Sequence, residues 1–218
     1  MRPGGRASAA IEILNDIMDR HRPAAEALKD WGKSHRFAGT SDRAAIGNLV
    51  YDALRQRASL GHAMEEDASR ALVLAVLRWR WSLSVDGIAE LCNEPHGPGA
   101  LTDAERARLE QSRNGEAPPW VRGDYPEWLD PSFALAFGEG RGRQGAALAL
   151  RAPVDLRVNT LKTSPEKVLQ LFEKFHAVKG RFAPACIRLP PPRLPSNSIN
   201  EKTFRTASRR SARGSRRP

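Results

Sequence analysis

The sequence predicts a mainly α fold: a helical bundle, then linker helices, then the start of an incomplete α/β unit and a basic tail. Three observations carry this. Apolar residues recur at spacings of three and four from residue 5 to about 112, the period of one buried helix face. The only alternating stretch, "VDLRVNTLK", comes after residue 153, where Val154, Leu156 and Val158 show the period of two of a half-buried strand. After Gly180 no apolar period is sustained and Pro, Ser and Arg dominate, a composition that buries too little surface to offset the entropy of ordering.

The elements follow in order. Ala7, Ala10, Ile11, Leu14, Ile17 and Met18 place an apolar stripe on a first helix whose other face carries Glu12, Asp16, Asp19 and Arg20. Pro23 suits the first turn of a second helix, with Leu28 and Trp31 on one face and Gly32 as its stop. In "TSDRAAIGNLVYDALRQRASL" Ser41 or Asp42 reads as the N-cap, and Ile46, Leu49, Val50, Ala53 and Leu54 stay in register. "ASRALVLAVLRWRWSL" is apolar around its girth, as a central helix is. "SVDGIAELC" and "LTDAERARLEQ" add two more, the second opened by the Thr102/Glu105 capping box. Short connections make a compact bundle over 5–117 the economical arrangement. Between 118 and 150, Pro118, Pro119, Pro126 and Pro131 with Trp120 and Trp128 predict linker helices pinned by aromatics. Over 151–190 Ser164 and Pro165 start a helix carrying Val168, Leu169, Phe172 and Phe175, so one strand and one helix are expected, short of a domain. Residues 191–218 read as a disordered basic tail.

Composition bounds the function classes. The chain has 218 residues and a formal charge of +10. Residues 193–218 hold eight Lys/Arg against one acidic residue, leaving 27 basic and 24 acidic residues before them. Most of the excess belongs to the tail, so charge alone does not point to RNA. Cys92 and Cys186 lack ligand spacing and the five histidines show none either, which argues against a zinc site or a disulfide framework. The absence of a long apolar window predicts no membrane association, and the cysteine usage suits a reducing cytoplasm. "GEGRGRQG" at 138–145 imitates a nucleotide-binding loop, but a helical pattern precedes it where such a loop needs a strand, so it reads as an interhelix turn.

Two stretches carry a resemblance. "DRAAIGNLVYDALRQ" (42–56) resembles the NusB-type RNA-binding domain at the front of bacterial ribosomal RNA cytosine-C5 methyltransferases of the Sun/RsmB family. "YPEWL" (125–129), followed by "APVDLRVNTLK" (152–162), is similar to the passage from that domain into an RRM-like subdomain. The resemblance implies an RNA partner, small-subunit ribosomal RNA, with a protein partner open. In the full-length family it implies S-adenosylmethionine as methyl donor and a cysteine thiolate that attacks the ring while a second cysteine assists release, chemistry that needs an activated thiolate. Neither the cofactor loop nor those cysteines have a counterpart here; Cys186 in "APACIRLPPP" lacks the family's surroundings. The chain itself is thus expected to hold no cofactor and carry no catalytic residue.

The resemblance and the positive side chains nominate Arg20, Arg22, Lys33, Arg36, Arg43, Arg55 and Arg57 of the bundle, with Arg157 and Asn159 of the strand, as RNA-binding candidates. The competing reading is an ordinary solvated charged face, with Arg157 paired to Asp155 or Glu166. Tyr51, Trp79 and Trp81 read as packing. The expected function is the RNA-binding N-terminal region of such a methyltransferase, truncated by a frameshift or premature stop, with the tail translated out of frame. The alternatives are a stand-alone NusB-like module in transcription antitermination or ribosome assembly, and a remnant whose unpaired strand at 154–162 costs it solubility.

Overall fold

The computed structural model describes residues 1–113 and 116–191, so the tail expected beyond residue 191 lies outside the described residues. Contacts divide the chain into a unit ending at Ala149 and another spanning Leu150–Pro195.

In the first unit α1 (Pro3–Arg20), α3 (Thr40–Arg55) and α4 (Arg57–Met64) pack around α5 (Ser69–Ala75), which runs into a π-helical turn at Val76–Arg80, and α2 (Ala24–Ser34) packs on α1 and α3. Every residue from Ala71 to Leu77 is essentially inaccessible to water, as its unbroken apolar run requires. Ile13 and Leu14 of α1, Ile46, Leu49 and Val50 of α3, and Leu60 of α4 complete the core; burying each such side chain stabilises by about 1.5–3 kcal/mol. Next come α6 (Val85–Cys92), capped by the Ser84 hydroxyl accepting from the Gly87 amide, and α7 (Asp103–Glu110). At the start of α7 the capping box forms as predicted: the Glu105 amide donates to Thr102 Oγ1 at 3.1 Å and the Thr102 amide to Glu105 Oε2 at 2.8 Å. Thr102→Ala is therefore expected to cost about 1 kcal/mol, seen as a lower urea midpoint at unchanged slope.

Three helix boundaries differ from the sequence expectation. The cap of α3 is Gly39 rather than Ser41 or Asp42; Asp42 sits one turn in and accepts the Gly39 amide at 3.3 Å. Gly32 does not stop α2, which continues to Ser34, because Gly32 is buried where the Arg43 guanidinium lies across it. The stretch 40–60 breaks at Gln56 into α3 and α4.

The Pro- and aromatic-rich segment folds onto the bundle within this same unit. It holds α8 (Pro119–Arg122), α9 (Asp130–Phe137) and α10 (Arg141–Leu148), with 3₁₀ turns at Glu127–Leu129 and Gly138–Gly140. The Ser59 amide and hydroxyl donate to Asp124 at 2.8 and 2.7 Å, fixing the segment to α4. Tyr125 organises the rest: its hydroxyl donates to Asp130 at 2.7 Å and its ring stacks on Phe133 at 4.2 Å. Of the glycine-rich 138–145 run, read from the sequence as an interhelix turn, only Gly138–Gly140 is a turn, and residues 141–145 are already helical in α10.

In the second unit the sequence predicts one strand and the structure contains three. β1 (Val154–Arg157), β2 (Val178–Lys179) and β3 (Cys186–Leu189) form an antiparallel sheet in the order β1-β3-β2, with α11 (Pro165–Leu171) packed on β2 and β3. Val154 pairs with Leu189 and Leu156 with Ile187. Ile187 is fully buried and Val158 nearly so, giving this small sheet a core of its own. The expectation of an unpaired strand at 154–162 is thus overturned. β3 leaves no signal in the sequence because its four residues sit between Pro184 and Pro190, too few for alternation to register.

Candidate nucleic-acid interface

Most of the nominated cations are tied to carboxylates. Arg20 and Arg22 both reach Asp16, at 3.3 and 2.8 Å, and Arg22 also reaches Asp30 at 2.6 Å. Lys33 donates to Asp30 at 2.8 Å. Hydrogen bonds from Lys33 and then Arg22 pull the Asp30 carboxyl down to about 2. Arg20 and Arg22 line a cleft together with Glu12, Asp16, Asp19 and Asp30, so the local excess of charge is negative and a phosphate there would face carboxylates. Arg57 is held in a fork by Asp67. Arg55 lies 3.5 Å from Asp52 and over the Tyr51 ring. Asp52 is buried and also accepts the Trp81 indole N–H at 3.3 Å, so Trp81 is a packing residue, as read from the sequence.

Arg43 has a structural task. Its Nε donates to the Ala38 carbonyl at 2.9 Å, closing the turn ahead of α3, and its guanidinium covers Gly32. Beside it Asp42 binds Arg6 at 2.7 Å and the amino terminus at 3.4 Å. The Asp-Arg pair that opens "DRAAIGNLVYDALRQ" thus joins α1, α2 and α3.

Three candidates stand apart. Arg36 is exposed and makes no ion pair or hydrogen bond among the described residues. It lies between His35, whose ring stacks on Trp31 at 4.2 Å, and Phe37, which is 71% exposed. Arg157 is exposed on β1, and neither expected local partner takes it: Asp155 binds Arg188 at 2.7 Å through both oxygens and Glu166 binds Lys179 at 2.9 Å. Asn159 accepts the Leu161 amide at 3.1 Å through its side chain and the Lys162 amide through its carbonyl, fixing the turn after β1. Sequence reasoning does not single out Arg2 and Phe37, both exposed and lining one groove; the available signal for Phe37 is an aromatic in the polar turn "SHRFAGT".

The two cysteines differ in their surroundings. Cys92 is buried, and burial pushes its thiol up to about 11; Cys186 packs in β3 against Gly180. No group of His, Cys, Asp or Glu among the described residues could hold a metal ion. No described helix is long and apolar enough to cross a membrane.

Residues 125–194 match the model of the RsmF/B-like methyltransferase ferredoxin-like domain. The order β1-β3-β2 around α11 is the arrangement expected of the first part of such a domain. None of the curated proteins matches the chain. Among solved structures, the crystal structure of PH0851 is similar in fold, with a TM-score of 0.51 and 17% identity, over 88% of this chain and 49% of that one. The chain thus spans about half the length of that protein. The resemblance to Sun/RsmB-type methyltransferases read from the sequence is borne out over residues 125–194 by the family model, and PH0851 adds a similar fold.

Proposed function

We propose, on the premise that this chain contains the N-terminal part of a Sun/RsmB-type methyltransferase, that it holds RNA for a cytosine-C5 methylation it does not itself perform. The match of residues 125–194 to a methyltransferase-associated domain carries this reading. In it the bundle of residues 5–117 is NusB-like, residues 118–150 link it to the small sheet, and the partner is small-subunit ribosomal RNA met in the cytoplasm. S-adenosylmethionine would be bound by a catalytic domain. What supports the division of labour is the state of the cysteines: a thiol as reluctant to ionise as that of Cys92 is a poor nucleophile at neutral pH.

The test is a titration of the full chain with single-stranded ribosomal RNA fragments across salt, paired with a methyl-incorporation assay. Affinity should fall with salt at a log–log slope of about −2 if three phosphates are engaged, and labelled methyl should stay out of the RNA. Failure to bind at low salt, or transfer of label, would sink the proposal. A second reading, docking to a protein, is favoured by Trp128, Leu135 and Leu148, which are 75%, 93% and 71% exposed. Large apolar side chains exposed on neighbouring helices are typical of contact surfaces.

A further inference from the structure

We infer that the outer edge of β1 is a dimer interface, at which two copies of this chain pair β1 against β1 in antiparallel register, Asp155 of each opposite Arg157 of the other. Backbone parity defines this edge. The Val158 amide donates to the Ala185 carbonyl at 2.8 Å, and Leu156 and Val154 pair with Ile187 and Leu189 in the same register. In an antiparallel ladder alternate residues turn both amide and carbonyl toward the same neighbour, so Val154, Leu156 and Val158 serve β3. Asp155 and Arg157 turn theirs the other way, where the sheet order β1-β3-β2 holds no strand among the described residues. The edge is short. Pro153 has no N–H to offer, and the Asn159 carbonyl already accepts the Lys162 and Thr163 amides. Asp155 and Arg157 thus each leave a donor and an acceptor, which one added strand can satisfy.

Charge selects a second copy as the occupant. A twofold axis through Leu156 sets residue 155 against 157 and residue 154 against 158, so both hydrogen-bonded pairs at the joint join a carboxylate to a guanidinium. The neighbouring in-phase registers would set Asp155 against Asp155 or Arg157 against Arg157, and like charges directly opposite destabilise a sheet. Arg157 is exposed and has no partner among the described residues, while Asp155 binds Arg188 at 2.7 Å through both oxygens. A carboxylate oxygen can accept a second donor, so Arg157 of the second copy extends that pair into a row of Arg188, Asp155 and Arg157 across the joint. The opposite face agrees. Val154 is 55% exposed and Leu156 half-buried, although Ile187 across from Leu156 is fully buried; the helix over this face, α11, packs on β2 and β3. In the dimer Val154 meets Val158 of the second copy and Leu156 meets its own counterpart, which takes apolar surface out of water. The chain's residues 193–218 fit the edge less well, because eight Lys/Arg against one acidic residue would bring like charges to Arg157. The contact uses the same edge on both copies and closes on itself.

The experiment follows the full chain by sedimentation velocity across a wide range of concentration, with amide hydrogen exchange read residue by residue at the same concentrations. The parent should pass from monomer to dimer as concentration rises, and the Asp155 and Arg157 amides should become protected over the same range. Arg157→Glu turns both opposite-charge pairs into like-charge pairs and is expected to weaken dimerisation on the order of 10-fold, while Arg157→Lys keeps the dimer. Arg157 is exposed, so both variants should keep the thermal midpoint of the parent when measured as dilute monomers. A chain that stays monomeric at every concentration overturns the inference. So does a dimer of unchanged strength in Arg157→Glu, which would form through another surface. Protection of the Asp155 and Arg157 amides that persists on dilution would put a segment of the same chain on the edge and overturn it as well. No RNA is present in these measurements, so their outcome is separate from that of the RNA titration.

Discussion

Arg6→Ala is expected to destabilise the first unit by about 2 kcal/mol at neutral pH, because it removes the main partner of a buried carboxylate. Asp42 is 6% exposed and receives Arg6 through Nε at 2.8 Å and Nη2 at 2.7 Å. What remains in the variant is the amino terminus at 3.4 Å and the Gly39 amide. Burial pushes the Asp42 carboxyl up, yet the hydrogen bond and charge of Arg6, with the amino terminus, outweigh it and hold the group below its usual range. A carboxyl lowered in the folded state is protonated first in the unfolded chain as pH falls. Its contribution is present above the unfolded value of about 3.9 and disappears as pH falls through the lower folded value. Parent and variant should therefore differ most at neutral pH and converge in acid, measured by urea unfolding across that range. A gap that widens toward acid would refute this assignment. Arg6→Ala combined with Asp42→Ala should cost less than the sum of the two single changes, since the bond between the two side chains can be lost only once.

The same pair shows how far the sequence can be read. Helix periodicity places Ile46, Leu49 and Val50 in the core, and all are buried, because one helix records its own buried face in its spacing. Thr102 and Glu105 are legible for a similar reason, as both bonds of a capping box are local. What the spacing does not show is a partner far along the chain. Asp42 reads as a cap for its own helix, whereas its main bonds go to Arg6, thirty-six residues away. Strand β3 has four residues and takes its meaning from β1, about thirty residues earlier. The candidate site divides in the same way. Asp16 lies four residues before Arg20 and Asp30 three before Lys33, so those pairs follow from helix spacing, whereas Arg22 and Arg57 are plain cations in sequence that only the fold brings against Asp30 and Asp67. His35 and Phe37 are legible as aromatic neighbours, but the groove they line also needs His96, about sixty residues further on.

Two glycine-to-alanine changes are expected to move stability in opposite directions, although both lie inside helices. Gly145 belongs to the run that imitates a phosphate-binding loop. A Cβ there would lie 2.5 Å from the Tyr125 ring and 2.7 Å from the Gly123 carbonyl. The carbonyl is backbone, and the ring is fixed by Asp130 and Phe133, so neither neighbour yields without moving α10 from α8. Overpacking of this kind costs typically about 1–3 kcal/mol, more than the gain of nearly 1 kcal/mol in helix propensity. Gly145→Ala is thus expected to lower stability by roughly 2 kcal/mol and to loosen the 118–149 segment first. At Gly47, in α3, a Cβ would meet nothing within 4 Å, so Gly47→Ala should add about 0.5–1 kcal/mol by restricting the unfolded chain. Urea midpoints measured side by side decide the matter. Were Gly145→Ala to stabilise as Gly47→Ala does, the glycines of 138–145 would not be there for close helix packing, and a loop built to approach a ligand would return as the better explanation of that run.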